Sequence, residues 1–159
     1  MTSSSWVRRR PWGGVALSIG GGSLWTHAGI YVGHDWIVDC CNPDGVVKQS
    51  IWNYCQYRKL MVRRIDDPTV PRMNVYDIAK EAAHRVGEPY NVVEVILARL
   101  GWAQLPNPDA LYCSTFVGLV VAKTTGINLA SDPAYRPLYP GALASHPDLI
   151  DVGLEWRHF

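Results

Sequence analysis

At 159 residues the chain is long enough for a single domain with its own hydrophobic core, and 48% hydrophobic against 18% charged residues excludes an intrinsically disordered chain. With 15 basic and 14 acidic side chains the net charge is +1, which provides no bulk field for nucleic acid or an anionic membrane, so no nucleic-acid partner is expected. The charge is unevenly spread: residues 1–64 carry 8 basic and 3 acidic side chains and residues 65–159 carry 7 and 11, an early sign that the two halves differ in structure.

In chain order, residues 1–12 hold Arg8, Arg9 and Arg10 between Trp6 and Trp12 and read as a flexible arm. The apolar run that follows is broken by Gly20, Gly21 and Gly22 and has no clear cleavage site, so an export signal is not expected and a cytoplasmic location is. Residues 13–65 read mainly as strands. Val15 to Ile19 is a short apolar strand between glycine turns, while Thr26 to Val32 and Trp36 to Cys41 flank the turn-forming Gly33-His34-Asp35 as a hairpin. Gly45 to Lys48 and Arg58 to Ile65 are further strands.

Residues 72–126 read mainly as helices. Asn74 is placed to cap a helix running to about Val86, with Val75, Ile78, Ala79, Ala82, Ala83 and Val86 on one stripe and Gly87 at its end. Asn91 opens a second, Val92 to Leu100, and Pro106 and Pro108 enforce an extended loop. The third, Cys113 to Thr125, is apolar nearly all round, so it should be buried, and Gly126 should end it. Residues 127–159 read as a wrapping tail with a last short strand near Leu149 to Val152. No uncharged stretch is both long and apolar enough to span a bilayer: Ala110 to Ala122 is 13 residues, where ~20 are needed.

Cys113 stands at the start of the central helix, where free N–H groups and the helix dipole stabilise an anion. For an isolated cysteine on an apolar helix, packing is the commoner role. His27 changes that balance, because it opens a strand with Gly29 two residues on and can present its ring across an uncrowded sheet face. If Val32 pairs with Trp36, Asp39 falls opposite Gly29 and diagonal to His27 on the same face, where a carboxylate would orient the imidazole and stabilise its protonated form. A one-residue change of register would move Asp39 to the other face. Cys40 and Cys41 are strand neighbours that face opposite sides, and Cys55 has no ligand pattern near it, so these three are read as packing residues and no metal or cofactor is expected. Trp25, Tyr90 and Tyr112 are candidates to line a cleft.

Thr26-His27-Ala28-Gly29-Ile30-Tyr31-Val32-Gly33, then Ile37-Val38-Asp39-Cys40, then the distant Tyr112-Cys113-Ser114-Thr115-Phe116-Val117, resemble circularly permuted NlpC-type papain-like cysteine hydrolases, a group with YiiX-like amidases and lecithin:retinol acyltransferase-like proteins. The histidine strand precedes the cysteine helix, the permuted order, and Gly87-Glu88-Pro89-Tyr90 is similar to a segment common before that helix. The resemblance implies an α+β, permuted papain-like domain over residues 1–159: a small antiparallel sheet or half-barrel packed on a buried helix that bears the nucleophile at its N-terminus. It also implies Cys113 as nucleophile, His27 as base and acid, and Asp39 as the ring-orienting group. The expected activity is that of a thiol amidase or peptidase on a small-molecule, peptide or lipid-amide substrate. The alternatives are a lipid acyltransferase, lipase or thioesterase using the same residues, and an inactive papain-like binding or structural protein.

Overall fold

The protein is described from a computed structural model, for residues 5–8, 25–55, 60–65, 72–90, 112–130 and 138–152. The expected strand Val15–Ile19, the helix after Asn91, the loop with Pro106 and Pro108, and most of the arm lie outside these residues.

Alternating β-branched and aromatic residues around a tight turn form the central hairpin, β2 (His27–Gly33) and β3 (Trp36–Cys41). Its register places Gly29 opposite Asp39, Ile30 opposite Val38 and Tyr31 opposite Ile37, as the sequence predicts. The turn itself differs from expectation: Gly33 pairs with Trp36, so Val32 is the extra residue of a bulge, and the register slips only beyond Tyr31. His34 and Asp35 make the two-residue turn with φ of 50° and 63°, the left-handed geometry that matches strand twist. The bulge absorbs the difference, which is why Asp39 keeps its expected face.

β4 (Gly45–Ser50) adds to β3, and a short helix α1 (Trp52–Cys55) follows. β5 (Leu60–Ile65) lies further across the sheet, with the edge strand β6 (Leu149–Asp151) beyond it. The strand between β2 and β5 is β1, Ser5–Arg8, antiparallel to both. This corrects the reading of residues 1–12 as an arm: short strands are stabilised by the ladders on either side, which local sequence does not display. Among the described residues the order is β4-β3-β2-β1-β5-β6.

One face of the sheet, Ala28, Ile30, Val38, Cys40 and Val46, packs on two helices, α2 (Arg72–His84) and α3 (Cys113–Thr125). α2 starts at Arg72, before the predicted cap at Asn74, and of its predicted stripe Ile78 and Ala82 are buried whereas Ala83 and Val86 face solvent. α3 is buried as expected, through Phe116, Val117, Gly118, Val120 and Val121, and Gly126 caps it in the left-handed region at φ 79°. Leu138 lies so close to α3 that a Cβ on Gly118 would stand 2.5 Å from its side chain, and one turn earlier the Ser114 hydroxyl donates to the Leu138 carbonyl. The tail wraps the core but is not all loop: Pro140–Ser145 forms α4, with proline at its first turn. The opposite sheet face carries a smaller apolar cluster of Ile37, Ile51, Tyr54 and Val62.

Candidate active site

His27 is the first residue of β2. There its ring is met by Asp39 across the hairpin and by Cys113 from the N-terminus of α3, which packs on the other face of the sheet. Nε2 of His27 lies 2.7 Å from Oδ2 of Asp39, and the Cys113 thiol stands near enough to the same ring to favour its charged form. The three residues predicted from the sequence are therefore brought together. The register that does this is made possible by Gly29: a Cβ there would stand 2.9 Å from the Asp39 Cβ and 3.2 Å from the Val38 carbonyl oxygen.

Asp39 is 0% exposed and His27 16% exposed, so neither charge is screened by bulk water. Burial opposes a charged imidazole, but the Asp39 carboxylate that accepts its N–H, together with the neighbouring Cys113 and Cys41, outweighs it and holds His27 well above the ordinary histidine value. Burial likewise opposes an ionised Asp39, and the His27 contact together with Tyr54 and Gln49 overcomes it, lowering the carboxyl below its usual range. The pair is thus poised as imidazolium and carboxylate.

Two of these supports were not foreseen from sequence. Gln49 on β4 donates its amide to Oδ1 of Asp39 at 2.9 Å, and the Tyr54 hydroxyl on α1 donates to Oδ2. Tyr54 also lies parallel to the His27 ring, at 8° with centroids 6.0 Å apart. Gln49 leaves a signal in the register, since Val47 pairs with Asp39 and Gln49 is then its diagonal neighbour on the same face. Tyr54 leaves none, because it sits on α1, beyond a turn, where strand register says nothing about its side chain.

The cysteines divide as strand alternation requires. Cys40 points into the core, where burial pushes its thiol up, out of reach of neutral-pH ionisation. Cys41 does not pack there: its Sγ lies 3.8 Å from Nε2 of His27 and accepts from the Gln49 amide. That corrects the reading of Cys41 as a packing residue, and the clue was its place two residues after Asp39 on the same face. His27, Asp39 and Cys41 offer one ligand atom each within 4.8 Å of one another, so these are the described residues that can hold a metal ion. The Cys55 side chain is outside the described set. Tyr112 is buried at the N-cap of α3, where its N–H donates to the Thr115 hydroxyl, while Trp25 and Tyr90 lie half-buried against the core. His146 is a buried structural histidine that donates to the Leu129 carbonyl and accepts from the Asp148 N–H.

A strand-borne histidine that precedes the helix carrying the cysteine defines a permuted papain-like architecture. The model of the permuted papain-like amidase family that includes YaeF and YiiX matches residues 14–143, and the chain belongs to this family. The structure of YiiX from Escherichia coli O157:H7, described as a metalloprotein, is similar in fold: the TM-score is 0.67 at 18% identity, over 99% of this chain and 98% of that one. No curated protein sequence matches the chain. Among the described residues no helix is long and apolar enough to cross a membrane.

Proposed function

We propose that the protein is a thiol amidase that cleaves an amide bond of a small molecule or peptide through an acyl-thioester on Cys113. The observation that carries this reading is the single imidazole of His27, hydrogen-bonded to Asp39 at 2.7 Å and held in its charged form by the neighbouring Cys113 as well. With Nε2 engaged by Asp39, Nδ1 is the ring nitrogen left for the sulfur. The Cys113 thiolate attacks the amide carbon, and the backbone N–H of Cys113 at the open end of α3 helps to hold the oxyanion. As the C–N bond breaks, the His27 imidazolium gives its proton to the leaving amine. The neutral ring then takes a proton from water, which attacks the thioester, releases the carboxylic acid and regenerates the thiolate beside the imidazolium. Asp39 keeps the ring in one orientation through both steps, and Tyr54 and Gln49 hold Asp39.

The test is alkylation of the reduced, native protein with iodoacetamide near neutral pH, followed by peptide mapping. Cys113 should react first and Cys40 should stay unmodified until the protein unfolds. Cys113→Ala should abolish amide hydrolysis without lowering thermal stability. Equal labelling of Cys113 and Cys40, or turnover surviving in Cys113→Ala, would sink the assignment.

A further inference from the structure

The three donors around Nε2 of His27 have a use that the amidase reading leaves aside. We propose that His27, Asp39 and Cys41 form a binding site for a zinc-like divalent cation, and that its occupation switches the amidase off. The donors come from two paired strands: His27 opens β2, while Asp39 and Cys41 project from the same face of β3. Nε2 lies 2.7 Å from Oδ2 of Asp39 and 3.8 Å from Sγ of Cys41. Ligand bonds of ~2.0–2.3 Å in a tetrahedral shell put donor atoms about 3.3–3.7 Å apart; the three donors already lie within 4.8 Å of one another, so a cation needs the His27–Asp39 gap to widen and Cys41 to close in by side-chain rotation. A nitrogen, a carboxylate oxygen and a thiolate form a donor set suited to Zn2+.

The outer shell is already in place. The Gln49 amide donates to Oδ1 of Asp39 at 2.9 Å and to Sγ of Cys41 at 3.8 Å, and Tyr54 donates to Asp39, so both anionic ligands are oriented before any cation arrives. Charge also balances, since one carboxylate and one thiolate neutralise a dication beside a neutral imidazole, which suits a site whose carboxylate is 0% exposed. On binding, Cys41 loses its thiol proton and Nε2 loses the proton it shares with Asp39, both to solvent. Cys113 stands outside this group of donors and is not one of its ligands.

The consequence for turnover rests on the amidase reading, whereas binding itself does not. With Nε2 coordinated, His27 cannot become an imidazolium, so it cannot protonate the leaving amine.

The metal site is tested by titrating the reduced full-length protein with cobalt chloride and displacing the cobalt with zinc chloride. A thiolate-to-cobalt charge-transfer band should grow to one equivalent, persist in Cys113→Ala and be lost in Cys41→Ser. Gln49→Ala should weaken binding about 10–100-fold, as removal of an outer-shell partner does. No band in the parent protein, a band undiminished by Cys41→Ser, or a band lost in Cys113→Ala overturns the site. Inhibition is read separately: zinc should stop amide hydrolysis in the parent protein and inhibit Cys41→Ser far less. A band without hydrolysis would defeat the amidase reading and leave the metal site standing, and hydrolysis without a band would do the reverse.

Discussion

The imidazole of His27 is governed by competition between burial, which removes charge, and a carboxylate 2.7 Å away, which demands it. Because its pKa is raised, His27 keeps its proton until pH climbs through that higher value, and the charge that protonates the leaving group is lost only above it. Asp39→Asn removes the opposing charge and leaves burial to dominate, so the proton should be lost at lower pH. The alkaline limb of kcat/KM against pH should therefore move to lower pH, and kcat should fall by roughly two to four powers of ten, the scale of such proton transfers. A limb that does not move would show that Asp39 does not set the state of His27. Gly29→Ala makes the complementary steric test. Its Cβ would crowd the Asp39 Cβ at 2.9 Å, so Asp39 must shift away from the ring. Overpacking should cost about 1–3 kcal/mol of stability, while a shift approaching 1 Å should lower turnover about 100-fold. Urea midpoints and kcat/KM at one pH separate the two effects, and unchanged turnover would refute the close fit.

Among the elements, α3 matters most to the site, since its N-terminus carries Cys113 and its packing decides where that terminus points. Phe116, Val117 and Val120 are completely buried against the sheet and α2, and Ser114 ties the first turn to the Leu138 carbonyl. A polar clasp joins α3 to α2: Glu81 accepts from Lys123 at 2.8 Å and from Arg85 at 2.7 Å. The Lys123 contact, and then Arg85, outweigh slight burial and lower the Glu81 pKa. The stabilisation is thus complete above the ordinary glutamate value and is lost as pH falls through the lowered one. Because Lys123 is 55% exposed, Glu81→Gln should cost only about 0.5–1 kcal/mol at pH 7 and almost nothing near pH 3. Urea unfolding at the two pH values checks this, and an equal loss at both would mean that the clasp is not ionic.

Across the whole molecule, the sheet is built from strands far apart in the chain, with β1 between β2 and β5. Deleting residues 1–8 removes an inner strand and exposes two ladders at once. That variant should lose several kcal/mol, roughly 10 °C or more in Tm for a chain of this size, whereas loss of a loose arm would leave Tm unchanged. A melt by circular dichroism distinguishes the two.

Much of the site was legible because its determinants are local. The β2–β3 hairpin is specified by alternation and by turn residues, and that places Asp39 opposite Gly29. The span of α3 follows from an apolar run closed by Gly126, and that puts Cys113 at its start. The bulge at Val32, the early start of α2 and the helix α4 were misjudged because tertiary packing overrides weak local signals there. What the amino-acid sequence determined by itself was therefore the elements and the residue types that each one presents, since period, caps and turns act over a few neighbours. Only the tertiary structure decided that β1 is an inner strand, that Tyr54 and Gln49 hold Asp39, and that Cys41 shares the His27 ring. Those contacts join segments whose proximity arises from long-range pairing and burial, which no local stretch of the chain encodes.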